Sequence, residues 1–169
     1  MGKVMVNSSP VIGLSMINQM ELLWKLFDEV MVPEGVFNEI AASAGKNDYG
    51  KSELETAVKE NKLRIYTVKD KVLVGKLIGK LHQGEVEVIV GGREESVDFV
   101  VIDEITARNL AEAFSLTPIG TVGILRLAKR ERLIENIKYY LDELKKKNFR
   151  IADKIYFEIL KKEGEDSHQ

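Results

Sequence analysis

The sequence predicts an α/β fold built on a mainly parallel sheet. Short β-branched apolar runs alternate with segments of helical period from one end of the chain to the other. The run from Asp98 to Ile102 is almost continuously apolar, as a strand covered on both faces must be. The chain has 169 residues, 44 % hydrophobic and 31 % charged. That length suits one domain that buries roughly 70 % of its unfolded surface without staples.

The elements follow in order. Lys3 to Val6 reads as a first strand, stopped by Asn7-Ser8-Ser9-Pro10. Ser9 suits an N-cap and Pro10 the first helical position, where a missing N–H costs nothing. That helix runs through Ile17, and a second from near Asn18 carries Met20, Leu22, Leu23, Leu26 and Phe27. Glu29 to Val32 is a strand ending at Pro33, which opens a helix with Val36, Phe37, Ile40, Ala41 and Ala44 at helical spacing. Residues 45–50 read as a loop, 51–60 as a helix, 63–68 as a strand, and 70–80 and 83–92 as helices broken at Gly84. After the strand 98–102 come a helix over 104–114, a strand near 116–119 and a helix from Thr121. Amphipathic helices near 135–147 and 152–162 end the pattern. We therefore expect a main domain over 1–130, a helical extension packed on it over 131–163, and a frayed tail over 164–169.

Composition excludes several classes. With no cysteine there is no disulfide, zinc–cysteine site, iron–sulfur cluster or thiol nucleophile. Two histidines, His82 and His168, are too few for a histidine-rich metal site. No apolar run nears the roughly 20 residues of a membrane span, and the N-terminus lacks a signal-peptide layout, so a soluble, cytoplasmic protein is expected. Net charge is -2, which gives no global basic field for nucleic acid. Arg126 to Arg150, however, sets nine Lys/Arg against four acids, a local net of +5. A helix end closed by Lys145-Lys146-Lys147 explains part of it without any partner; an RNA-contact face is the other reading. Lys and Glu dominate the charged residues and Gln is scarce, a bias associated with thermophile proteins.

In parallel α/β sheets ligands bind outside the carboxyl ends of the strands. The first strand ends in Asn7-Ser8-Ser9, the central one in Asp103-Glu104, and the short one near 116–119 in Gly120-Thr121. Glu39 lies beside Phe37 and Ile40, and Glu85 borders the stripe Val86, Ile89 and Val90, whereas Glu87 and Glu94 fall on a wetter side. Glu39, Glu85 and Asp103 are thus acids near buried faces. Gathering carboxylates there is unfavourable unless something positive compensates, and a hard cation such as Mg²⁺ or Mn²⁺ does so through oxygen ligands. Each acid also has a plain structural reading: Glu85 favouring a helix dipole, Glu39 on a helix surface, Asp103 as an N-cap. On pattern alone both readings stand.

The sequence resembles the PIN-domain family. The resemblance rests on Val6-Asn7-Ser8-Ser9-Pro10-Val11-Ile12, Val32-Pro33-Glu34-Gly35-Val36-Phe37-Asn38-Glu39-Ile40, Gly84-Glu85-Val86-Glu87-Val88-Ile89, and Val101-Ile102-Asp103-Glu104 with Ala107-Arg108. Gly120-Thr121-Val122-Gly123-Ile124-Leu125 and Asn148-Phe149-Arg150-Ile151-Ala152 look like one PIN-like branch in particular. The resemblance runs to about Leu160. It implies a three-layer sandwich around a parallel sheet and Mg²⁺- or Mn²⁺-dependent cleavage of RNA, often by the toxin of a toxin–antitoxin pair of VapC type. It also implies a small protein antitoxin as partner and a homodimer, for which the helix region Met16 to Phe27 is one candidate surface. By the same resemblance Glu39, Glu85 and Asp103 match metal-coordinating acids, Thr121 the hydroxyl residue that completes the site, and Glu104 a fourth acid. One position departs: most PIN proteins end the first strand in Asp, and here it is Asn7. Its amide oxygen can ligate Mg²⁺ but brings no charge, so weaker metal binding is expected. Three readings follow: a metal-dependent ribonuclease, a PIN-like module that binds RNA or protein with little or no catalysis, and, last, a small-molecule α/β enzyme. The last lacks any GxGxxG after a strand, Walker A motif or GxSxG elbow. His82 reads as a capping or surface residue and Trp24 as core.

Overall fold

The computed structural model describes residues 1–43 and 49–166. Ala44, most of the expected loop over 45–50, and the end of the expected tail with His168 lie outside the described residues. Five strands form one all-parallel sheet: β1 (Lys3–Val6), β2 (Glu29–Pro33), β3 (Arg64–Tyr66), β4 (Phe99–Val101) and β5 (Pro118–Ile119). Their spatial order is β3-β2-β1-β4-β5. Register is set by Val4 opposite both Val30 and Phe99, and by Val6 opposite Val101. The chain first winds outward through β2 and β3, then returns to the other side of β1. The topological switch point therefore falls between β1 and β4, where such sheets open a crevice at the strand ends.

Ten helices flank the sheet among the described residues: α1 (Ser8–Met16), α2 (Leu22–Leu26), α3 (Glu34–Ala42), α4 (Lys51–Lys59), α5 (Lys71–Leu77), α6 (Gln83–Glu94), α7 (Ile105–Ala113), α8 (Thr121–Arg130), α9 (Lys138–Lys146) and α10 (Asp153–Lys162). The architecture is the expected α/β three-layer sandwich. Helix α6 crosses β1, β2 and β4, α1 and α2 pack against α8, and α3 touches α1, α4 and α6. Met5, Met31, Ile89, Ile102, Ile124 and Leu125 are among the largest fully buried side chains, each favouring the folded state by roughly 1.5–3 kcal/mol before entropy is counted. Leu141, Leu144, Tyr156 and Leu160 join the same core from α9 and α10.

Several boundaries differ from the sequence reading, for local reasons. Helix α1 begins at Ser8, so Asn7 holds the N-cap position and Pro10 is the third helical residue; its missing N–H still falls among the unbonded ones of the first turn. Asn18, with φ 53°, ends that run, and the next helix forms only at Leu22. Strand β3 keeps three of the six expected residues because its pairing with β2 covers only Arg64 to Tyr66. The helix expected over 70–80 stops at Leu77, where Ile78 turns extended and bridges to Leu81.

Glu87 corrects a more consequential expectation. It is 3 % exposed rather than on a wet side. Helix α6 is covered around most of its circumference, so apolar period cannot mark a solvent face there. Glu87 accepts from the Gly35 N–H at 3.3 Å and the Gln83 side-chain amide at 2.9 Å, tying α6 to the start of α3. Glu94 is half-buried, and accepts from the Tyr66 hydroxyl at 2.7 Å and the backbone of Lys69 and Asp70. Burial opposes its charge, but those donors outweigh burial and hold its carboxyl below the usual range.

Candidate functional site

At the switch point Asn7, Glu39, Glu85, Asp103 and Glu104 line one crevice of about 500 Å³. Four elements deliver them. Asn7 follows β1 and extends its pairing, since its N–H donates to Val101 O at 3.0 Å. Asp103 and Glu104 follow β4, Glu39 comes from α3, and Glu85 from the first turn of α6.

Asp103 is the most tightly held. Its Oδ1 accepts from the Thr121 N–H at 2.7 Å, and its Oδ2 from the Thr121 hydroxyl at 2.8 Å and the Ser9 hydroxyl at 2.9 Å. It therefore faces the positive N-terminus of α8 and does not cap α7. A methyl group on Gly120 would sit 3.0 Å from Asp103 Oδ1 and 3.4 Å from Arg108 Nη1, so a cationic side chain shares the neighbourhood of that glycine with Asp103. Thr121 itself is fully buried behind Asp103 and does not line the crevice. Its geometry is that of a residue that orients the carboxylate.

Glu104 supplies the cap of α7, accepting from the Ala107 N–H at 2.8 Å. That bond lowers its carboxyl below the usual range, so it stays ionised at the crevice rim. Glu85 accepts from the His82 N–H at 3.0 Å, the reciprocal half of a capping box, and its other oxygen has no such bond. His82 is thus an exposed N-cap residue. Glu39 is exposed; its Oε1 accepts weakly from the Ser8 hydroxyl at 3.3 Å, and its Oε2 has no hydrogen-bond donor among the described residues.

Asn7 carries the most informative atom. The residue is 4 % exposed and in the N-cap position, yet its side chain makes no cap bond, and its Oδ1 is a buried oxygen without a partner. Such an atom costs about 1–3 kcal/mol if nothing donates to it. A methyl group on Gly84 would come 2.7 Å from Glu39 Oε2 and 3.7 Å from Asn7 Oδ1. The absence of that methyl keeps open a small cradle where the buried Asn7 Oδ1 meets the exposed Glu39 carboxylate. Among the described residues no group of three or more His, Cys, Asp or Glu side chains is gathered for an ion. The donors that fit a hard cation are accordingly mixed: one amide oxygen and one free carboxylate oxygen in the cradle, with Glu85 and Asp103 in the same crevice.

Sequence reasoning found the acids but missed their supports. Ser8 and Ser9 donate to Glu39 and Asp103, and Gly84 holds the cradle open. The signal for the serines was their place straight after β1; nothing local marked Gly84 as more than a turn. The basic stretch 126–150 is partly consumed within the chain. Arg126 pairs with Glu163, Lys129 with Glu165, Lys138 with Asp142, and Lys145 with Asp153. Arg130, Arg132 and Arg150 remain exposed, so only part of the stretch is neutralised internally. Trp24 is half-buried rather than core, on a second crevice with Met20, Glu21 and Thr56.

A family model described as a PIN domain matches residues 3–165. No curated protein matches the chain.

Proposed function

The chain belongs to the PIN-domain family, and from that premise we propose that it is an endoribonuclease that uses Mg²⁺ or Mn²⁺ to hydrolyse RNA phosphodiesters. The observation that carries this reading is the buried, unpartnered Asn7 Oδ1 beside the exposed Glu39 carboxylate over the Gly84 cradle at the switch point. Asn7 and Glu39 would hold the ion, with Glu85, Asp103 and Glu104 adding charge from the same crevice. When bound, a divalent ion supplies a water nucleophile at neutral pH and charge relief on the leaving oxygen. Thr121 and Ser9 fix both oxygens of Asp103, so that carboxylate keeps its place and charge in the crevice without reorganising. Ser8 orients Glu39 in the same way from the opposite wall. The phosphodiester enters a crevice open at the ends of β1 and β4, between acids that repel it unless a cation intervenes.

A second reading is favoured by one residue. Asn7 brings no charge where most of the family has Asp, which fits a PIN-like module of weak or no catalysis that binds RNA or a protein. A role as toxin, with a small antitoxin and a homodimeric state, belongs to the first reading and rests on the family alone. No helix among the described residues is long and apolar enough to cross a membrane.

The test is cleavage of a defined single-stranded RNA with Mg²⁺ and with Mn²⁺, alongside EDTA, Asp103→Asn and Asn7→Asp. Metal-dependent cleavage lost in Asp103→Asn supports the nuclease. An inactive wild type with activity gained in Asn7→Asp supports the binding module. Inactivity of both proteins in every metal would sink the catalytic reading.

A further inference from the structure

The crevice has a second half that the acids do not use. Its wall there is Ile12 and Met16 of α1 together with Asn148, Phe149 and Arg150, which follow α9. That three-residue hook is built rather than incidental. Asn148 adopts φ 63°, a left-handed conformation that turns the chain out of α9. The Phe149 N–H returns to Leu144 O at 2.9 Å, and Lys147 Nζ donates to Met16 O at 2.6 Å, fastening the hook to the end of α1. The Phe149 ring lies so close to α1 that a methyl group on Gly13 would come 2.6 Å from its Cε2. The ring stays half-buried, leaving part of it on the crevice. Arg150 is exposed and, among the described residues, has no ion-pair or hydrogen-bond partner, although six acidic or amide side chains line the same crevice. Five of the eight other cations of the 126–150 stretch are in ion pairs.

We propose that Asn148, Phe149 and Arg150 form a nucleotide subsite that positions single-stranded RNA beside the acidic centre. The ring offers a face or edge to one base, the Asn148 amide can donate to and accept from that base's edge, and the Arg150 guanidinium takes the adjoining phosphate. An aromatic, an amide and an unpaired guanidinium in sequence match the three chemical parts of one nucleotide. A purely structural hook needs only the ring. The subsite also answers the charge problem of the crevice: it places a cation where the strand leaves the acids. The proposal rests on the RNA-cleaving reading above.

The experiment measures binding of fluorescein-labelled single-stranded RNA decamers by anisotropy, with Ca²⁺ replacing Mg²⁺, from low to moderate salt. Cut-site preference is mapped in parallel with Mn²⁺. Arg150→Ala is expected to weaken binding about five- to tenfold and to reduce the salt slope by roughly 0.7, the share of one phosphate contact on a single strand. Phe149→Leu is expected to weaken it about fivefold or more and to flatten base preference next to the cut. Arg130→Ala, exposed elsewhere on α8, is expected to match the wild type. Phe149 packs on α1, so a lowered melting temperature would discount that variant, and exposed Arg150 then decides. If the wild type binds or cleaves RNA while Arg150→Ala keeps its affinity, salt slope and cut sites, the subsite is refuted and the nuclease stands. If the wild type neither binds nor cleaves, both fall.

Discussion

Replacing Asn7 by Asp tests the centre in two opposite directions at once. The side chain is 4 % exposed, its Oδ1 has no donor, and Glu39 Oε2 converges on the same cradle beside Gly84. Both oxygens lie within 3.7 Å of one methyl position on Gly84, which puts them no more than about 6 Å apart, and like charges at about that distance and an effective dielectric constant near 20 repel by about 3 kcal/mol. The metal-free variant should therefore lose about 3 kcal/mol at pH 7. An unfolding entropy of about 2.1 cal/mol/K per residue makes that about 9 °C in a chain of this length. Burial and the neighbouring charge raise the folded pKa of the new carboxyl above its unfolded value near 4. The penalty is then absent below about pH 4, grows through the raised folded pKa, and is complete at neutral pH. With excess Mn²⁺ the order reverses, because the added charge becomes a ligand and the variant gains the larger ligand-induced rise in melting temperature. Thermal melts of wild type and Asn7→Asp at pH 5 and pH 7, each with EDTA or MnCl2, provide the measurement. A variant that melts with the wild type in EDTA and shifts equally with Mn²⁺ would show that Asn7 faces no shared ion position.

Three other outcomes are expected. Gly35→Ala would put a methyl group 2.1 Å from Glu87 Oε2. Displacing that buried carboxylate should cost about 2–3 kcal/mol, more than the helix propensity gained, and an unchanged melting temperature would contradict the packing described. Thr121→Val keeps the shape but removes one donor to Asp103; about 1–2 kcal/mol of stability and several-fold of Mn²⁺ affinity should go, with Thr121→Ser retaining both, as calorimetric titration can check. Glu94 contributes stability while ionised, because its folded pKa is depressed. That contribution is present above the unfolded value and is lost as pH falls through the lower folded one, so the stability gap between wild type and Glu94→Gln should be widest at neutral pH and narrow progressively as pH falls through the carboxylate range in urea titrations.

What was legible in the sequence was whatever local chemistry dictates. The strand Lys3–Val6 appears with the expected ends because a β-branched run is cut off by Asn-Ser-Ser-Pro. The acids at the strand ends were visible because strand and helix alternate, and in a parallel sheet that alternation alone sends every strand's carboxyl end to one side. Residue by residue, though, Glu39, Glu85 and Asp103 had equally good structural readings, and only the family resemblance ordered them.

Tertiary structure decided the rest, and for one reason: the deciding partners are distant in the chain. Asp103 became an oriented carboxylate because Ser9, 94 residues away, and Thr121 donate to it. Glu87 looked solvated because helical period assumes one wet side, and α6 has almost none. The basic stretch 126–150 looked open because its acids lie in part at Asp153, Glu163 and Glu165, beyond its end. The family resemblance alone could name Asn7 as the position where a charge is missing. Only the close approach of Gly84 and Glu39 turned that position into a buried oxygen awaiting a partner, because burial is a property of the packed neighbours and not of the residue.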